Sequence, residues 1–333
     1  MKYLIVGCGP AGAFAAKNLR TLLPEAQITL LDSSERGLYA RMRLPEYLSG
    51  SLPEAKLILS GPDAFEKLNI HCCFGKKALS IDRTGKRLLL EDGESIPYDT
   101  LILATGADAF VPPVEGVAQC RHYVLRSLED AAEIRSRCCS GLPRGILIVG
   151  GGLLGLEAAS SLTKCSVPVT VAECSDRLLR AQFTEKGSVL LQKRLEELGI
   201  SFHLQDTLSS VREEGGGTIH CTFTSGKVLK CSLLLFSAGI RPRTVLAASS
   251  GLEIGRGIKV NDHLQTGDEN IYAIGDCAEY KGQIPGLWLA ARDQAMALSS
   301  ILAGKQSIFE MPAYKPEPKI SSISLKEIRE AEI

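Results

Sequence analysis

The chain is 333 residues long, 45% hydrophobic and 23% charged, with 38 basic and 38 acidic residues that balance to a formal net charge of zero. That length holds two domains with full cores, and the composition is ordinarily globular. Zero net charge argues against nucleic acid or an anionic membrane as the main partner, and no apolar run reaches the roughly 20 residues that span a bilayer.

The start, Met1-Lys2-Tyr3-Leu4-Ile5-Val6-Gly7, runs from an apolar strand directly into a glycine turn. It lacks the longer apolar core and cleavage site of a secretory signal, so a cytoplasmic location is expected. Residues 1–32 read as β-α-β: strand 3–6, a helix from Ala11 to Leu23 ended by Pro24, and strand Ile28 to Leu31. From 70 to 104, short alternating runs separated by Gly75-Lys76, Thr84-Gly85 and Asp92-Gly93 predict an antiparallel meander. It ends in the apolar strand Thr100 to Ala104, followed by Thr105-Gly106; Pro112-Pro113 then marks a linker.

Residues 127–140 have a helical pattern, and 146–173 repeat β-α-β. A helix over 184–198 stops at Gly199, and a second meander is predicted from Ile200 to Lys230. It closes on Leu233-Leu234-Leu235-Phe236 and the small-residue turn Ser237-Ala238-Gly239. The order β-α-β, meander, apolar strand, small-residue turn therefore occurs twice, as a whole-domain repeat. The strand Ile271 to Ile274 ends in Gly275-Asp276, and a helix follows from Leu287 to Ala303. Beyond Gly304 the tail carries Pro312, Pro316 and Pro318 and then a charged stretch, Lys326 to Glu332.

Two glycine fingerprints anchor the repeat. Gly7-Cys8-Gly9-Pro10-Ala11-Gly12 follows one strand, and Gly150-Gly151-Gly152-Leu153-Leu154-Gly155 follows the other. In this pattern the first glycine permits the tight turn, the second lets the backbone approach a pyrophosphate, and the third lets helix pack on strand. The phosphate would sit on the helix N-terminus, where unpaired N–H groups and the dipole favour an anion. Asp32 and Glu173 lie 20 and 18 residues past the last glycine of each copy, where an acid accepts hydrogen bonds from a ribose diol. Such an acid opposes a 2′-phosphate by up to about 4 kcal/mol at 4 Å, so Glu173 favours NADH over NADPH; Arg177 and Arg180 nearby weaken that preference. Two cradles suggest two nucleotides held face to face, and so electron transfer. Asp276 reads either as a helix cap or as a ligand for a polyol hydroxyl; beside two fingerprints the second is preferred.

Eleven cysteines include no C-x-x-C and no C-x-x-x-x-C. The adjacent pairs Cys72-Cys73 and Cys138-Cys139 seldom bridge, and the odd total fits reduced, mostly buried thiols. His71, His122 and His263 show no metal spacing, so no metal site is expected.

With these motifs in order over residues 1–303, the chain resembles the flavoprotein family of pyridine nucleotide–disulfide oxidoreductases. The matching pieces are Gly7-x-Gly9-x-x-Gly12, Ala104-Thr105-Gly106, Gly150-x-Gly152-x-x-Gly155 with Glu157, Ala238-Gly239, and Tyr272-Ala273-Ile274-Gly275-Asp276. The resemblance implies an α/β fold of two Rossmann-like domains, each a parallel sheet plus an antiparallel meander. An FAD domain (1–112 and 240–304) would carry an inserted NAD(P)H domain (113–239), with 305–333 as the shortened opening of a third domain. It implies that Asp276 holds the FAD ribityl chain, that Glu157 lies near the nicotinamide, and that the helix starting at Leu287-Trp288 points at the flavin pyrimidine edge.

One departure shapes the chemistry. Members that reduce disulfides carry redox cysteine on the helix after the first acid, whereas here Leu38-Tyr39-Ala40-Arg41-Met42-Arg43-Leu44-Pro45-Glu46 has none. The string is similar to rubredoxin reductases and to the flavin domain of assimilatory nitrite reductase. Arg41 and Arg43 would then lie near the flavin, with one of them pairing with Glu157 or steering an acidic partner, or they simply form a solvated basic turn. The basic cluster Lys76, Lys77, Arg83, Lys86 and Arg87 reads as a docking site for an acidic carrier or, more plainly, as solvated hairpin surface. Trp288 either covers the flavin edge or is core. The expected activity is NADH-to-FAD hydride transfer followed by electron delivery to a small rubredoxin- or ferredoxin-like carrier. The alternatives are an NADH oxidase or diaphorase using oxygen or quinone, and a non-catalytic flavin-bound sensor or subunit; the chain would be a monomer or a homodimer.

Overall fold

The computed structural model describes residues 1–139, 144–320, 323–330 and 332. Ser140, at the end of the helix expected over 127–140, lies outside the described residues, as do positions 321, 322, 331 and 333 of the tail. The main elements run β1 (Lys2–Val6), α1 (Pro10–Leu22), β2 (Gln27–Asp32), α2 (Leu44–Leu48), β3 (Ile70–Phe74), β4 (Ala78–Asp82), β5 (Arg87–Leu90), β6 (Ser95–Pro97) and β7 (Thr100–Leu103). They continue with β8 (Tyr123–Val124), α3 (Leu128–Cys139), β9 (Ile146–Val149), α4 (Leu153–Leu162), β10 (Val169–Glu173), α5 (Glu185–Glu197), β11 (Ile200–Leu204) and β12 (Leu208–Glu214). The last are β13 (Thr218–Phe223), β14 (Val228–Cys231), β15 (Leu233–Phe236), β16 (Ile271–Ala273), α6 (Trp288–Leu302) and α7 (Leu325–Glu330).

These elements form two compact units. One comprises Met1–Ala40, Ile58–Asp108 and Ile240–Tyr314; the other comprises Arg41–Leu57, Ala109–Gly239 and Lys315–Ile333. The first unit holds a parallel sheet in the order β16-β7-β1-β2-β3, and the second a parallel sheet in the order β8-β15-β9-β10-β11. Their central strands are buried on both faces: Thr100 to Leu103 and Leu233 to Phe236 have no exposed member. Continuous apolar runs suit a sheet covered by helices on each side. Among the described residues, no helix is long and apolar enough to cross a membrane.

Each unit adds a three-stranded antiparallel layer, β4-β5-β6 in the first and β12-β13-β14 in the second. These layers are shorter than the meanders predicted from 70 and from 200. Ile70–Phe74 and Ile200–Leu204, expected as their opening strands, instead pair in parallel with β2 and β10 and close one edge of each main sheet. In the first unit, α1 packs on α6 through small residues. Ala11, Ala15, Ala16, Ala291 and Ala295 share one buried cluster, so the two backbones approach closely.

Candidate functional site: two nucleotide cradles

The two fingerprints adopt the same local geometry. Gly7 and Gly150 take φ of +110° and +119°, a region that side-chain-bearing residues avoid. A Cβ on Gly7 would collide with the carbonyl of Ala104, and one on Gly150 with the carbonyl of Ser237. A Cβ on Gly12 or Gly155 would strike the carbonyl of Gly7 or Gly150. Each turn is thus pressed between its own helix and the end of the neighbouring strand. Gly9 and Gly152, in contrast, have nothing within 4 Å of an added Cβ. They are the N-caps of α1 and α4 and carry no side-chain cap. Unclaimed space at an uncapped helix N-terminus fits a pyrophosphate in both units. Pro10 and Ala11 form the first turn of α1, and Leu153 and Leu154 that of α4.

The two acids are held alike. Asp32 accepts hydrogen bonds from the N–H of Cys8 and, at 2.7 Å, from that of Ser34. Glu173 accepts from Gly151 N–H at 2.7 Å and from Ser175 N–H at 2.9 Å. Burial works to raise the Glu173 pKa, but the N–H groups of Ser175 and Gly151 outweigh it and hold the carboxyl below its usual range. It stays an anion, able to accept from ribose hydroxyls.

The small-residue turns lie after the central strands. In the first unit, Ala104 is followed by Thr105, whose hydroxyl donates to the Arg243 carbonyl at 2.9 Å, while Gly106 accepts from Arg243 N–H at 2.9 Å. In the second, Ala238 and Gly239 are exposed, and the Gly239 carbonyl accepts from Phe110 N–H at 2.9 Å.

Asp276 sits in a short turn entered by Gly275, whose φ is +77°. Gly275 N–H donates at 2.6 Å to Oε1 of Gln294, a side chain only 1% exposed in the buried stripe of α6. Sequence reading passed over Gln294; a lone amide among alanines on the core face of a helix was its signal. Leu287 is the N-cap of α6. Trp288, half-buried, meets Phe14 edge to face at 6.5 Å and packs against the buried cluster, so core packing holds its ring in place.

In the second unit, α2 packs on α3 and α4. Arg43 binds Glu46 through two hydrogen bonds of 2.8 and 2.6 Å, and so pairs with Glu46 rather than with Glu157. Arg41 opens the same short turn, Arg41–Arg43. The Arg135 guanidinium lies 4.8 Å from the Tyr47 ring and ties α2 to α3. Glu157, in the second turn of α4, accepts at 2.7 Å from the main-chain N–H of Lys319. Burial pushes the Glu157 carboxyl up to about 7; the Lys319 N–H and charge oppose the shift, and the nearby Glu46 carboxylate adds to it. Neither Glu46 nor Lys319 stood out in the sequence.

The basic cluster is largely bonded to its own neighbours. Lys76 pairs with Asp92 and Glu94, Lys77 with Glu91, and Arg83 with Asp268, while Lys86 bonds Asn270 and Arg87 bonds Ser95. Three of its five charges are thus paired with acids within the first unit, which favours the plain-surface reading over a docking site.

Two Rossmann-like units, each with an uncapped glycine cradle and an anchored acid, define a protein built to bind two dinucleotides. The chain belongs to the pyridine nucleotide-disulphide oxidoreductase family, whose model matches residues 1–295. It is 32% identical over 99% of its length to the nitrite reductase (NADH) large subunit of Escherichia coli strain K12, and it spans 39% of that protein. It is 33% identical to the rubredoxin-NAD(+) reductase of Alcanivorax borkumensis, covering 91% of this chain and 78% of that one. A ferredoxin reductase for the CYP199A2 system from Rhodopseudomonas palustris superposes with a TM-score of 0.87 at 28% identity, covering 93% of this chain and 78% of that chain.

Proposed function

We propose that the chain is an FAD-dependent oxidoreductase that takes hydride from NADH and passes electrons to a small carrier protein of the rubredoxin or ferredoxin kind. The observation that carries this reading is the duplicated cradle, two copies in a single chain of one geometry that suits a phosphate and a ribose. The fragments 1–112 and 240–304 would serve FAD, 113–239 would serve NADH, and 305–333 would form the tail. When both are bound, NADH and FAD would supply the hydride-transfer chemistry, which belongs to the cofactors.

The protein's own residues bind and orient. The N-termini of α1 and α4 receive the pyrophosphates, and Asp32 and Glu173 receive the adenosine riboses. Asp276, set by the Gly275–Gln294 hydrogen bond, receives the ribityl hydroxyls, with Ala104, Thr105 and Gly106 beside it. Glu157 would meet the nicotinamide end of NADH, and Ala238 and Gly239 would also contact that nucleotide. Arg41 and Arg43 sit on the segment that carries no thiol, so electrons leave without a dithiol relay there. Two features support a protein acceptor: this missing thiol and the likeness to proteins named as rubredoxin and ferredoxin reductases.

The test is anaerobic mixing with NADH in a stopped-flow spectrometer, followed by addition of oxidised rubredoxin or ferredoxin. Rapid bleaching of the flavin band and its recovery on carrier reduction are expected. No bleaching refutes the activity; bleaching that only oxygen or a quinone reverses refutes the carrier.

A further inference from the structure

Three elements of the second unit converge on Glu157. Helix α4 bears it, α2 brings Glu46, and residues 315–320 bring the Lys319 amide. That last segment is anchored on both sides of the amide. Pro318 and Ile320 are buried while the Lys319 side chain is exposed. Further along the chain, Arg329 donates to the Gln182 carbonyl at 2.8 Å, lies 4.5 Å from the Phe183 ring and bonds Glu317 at 3.1 Å. The amide's position is therefore set by packing of the main chain, whatever the lysine head group does.

A carboxylate has two oxygens, and here only one is engaged. Oε1 accepts from Lys319; among the described residues Oε2 accepts no hydrogen bond. Resting on the reading that Glu157 meets the nicotinamide, we propose that Lys319 is a positioning residue. Its main-chain N–H fixes the Glu157 carboxylate through Oε1, so that Oε2 is presented to the carboxamide N–H of the nucleotide. A charge-assisted bond from a rigid donor removes rotamer freedom that the ligand would otherwise have to restrict on binding.

The charged groups facing Glu157 are Glu46, itself held by Arg43, and Lys319. Burial and Glu46 favour the protonated acid, which cannot accept through both oxygens; the Lys319 amide favours the carboxylate. Removing the amide therefore weakens NADH binding most where Glu157 is half-ionised.

The test compares wild type with Lys319→Pro, which deletes the N–H, and Lys319→Ala, which keeps it, by NADH titration from about pH 6 to pH 8.5. Lys319→Pro is expected to bind NADH about tenfold more weakly at pH 7 and to move the pH midpoint of binding up by about one unit. Lys319→Ala should move it far less. Retention of flavin with an unchanged visible spectrum shows that the variants are folded. A Lys319→Pro protein that binds NADH as Lys319→Ala does overturns this inference alone, whereas wild type that fails to bind NADH overturns the function proposed above.

A second measurement avoids the proline. In protein labelled with ¹⁵N-lysine, the one amide signal lost in Lys319→Ala should titrate near neutral pH and stop titrating in Glu157→Gln. A flat response in wild type overturns the link.

Discussion

Glu157 makes the fold's stability depend on pH in a way that one substitution exposes. Its carboxyl is raised from 4.5 to about 7, chiefly by burial. The folded-state pKa lies above the unfolded one, so the group favours folding while protonated. That contribution is complete below about pH 4.5 and is lost as pH rises through 7. A gap of about 2.5 units at 1.36 kcal/mol each corresponds to roughly 3 kcal/mol over the full window. Glu157→Gln keeps an oxygen for the Lys319 N–H but never ionises. Its advantage over wild type should therefore grow from about 1 kcal/mol at pH 5 to about 3 kcal/mol at pH 8. Urea unfolding of both proteins at the two pH values, without nucleotide, measures this. An advantage of the same size at both would refute the buried-carboxylate reasoning, because a pure packing change has no reason to follow pH.

Gly12→Ala and Gly155→Ala each push a methyl group into the carbonyl of the glycine that opens the turn. Gly12→Ala should yield protein that loses flavin on purification, while Gly155→Ala should stay yellow but bleach at least tenfold more slowly with NADH, as order-of-magnitude effects of a misplaced backbone cradle; absorbance spectra before and after NADH check both. Gln294→Leu leaves the buried Gly275 N–H unpaired, at about 1–3 kcal/mol. Flavin should dissociate at least several-fold faster, read by the rise in free-flavin fluorescence after dilution.

Much of this architecture is visible in the chain. The glycine spacings, the acids at 32 and 173 and the all-apolar strands each report a local requirement, so sequence alone places both cradles. Ile70–Phe74 and Ile200–Leu204 misled for a common reason. Each is the edge strand of a parallel sheet, with only its first residue buried. A half-covered strand beside hairpin turns has the look of an antiparallel one. The sequence allowed the basic cluster to be plain surface but did not name its partners, because the acids that pair with Lys76 and Lys77 lie across a hairpin, where strand register and not sequence distance sets the partners. The Lys319–Glu157 bond spans 162 residues and uses a main-chain N–H, which no residue type advertises.

The two sheets differ in where their outer strands come from. In the second unit, every sheet strand from Tyr123 to Phe236 lies in one continuous stretch of chain. In the first, the edge of β7 is closed by Ile271–Ala273, which pairs with Leu101–Leu103 from the far side of the whole inserted stretch. As the polypeptide emerges from the ribosome, the later-encoded sheet thus has all its strands first, and the earlier one keeps an unpaired edge for some 170 residues of synthesis. The sheet begun first is therefore the one whose last strand is made last. An open row of N–H and C=O groups on β7 in the nascent chain is the place where chaperones, or a wrong neighbouring strand, would find a hold.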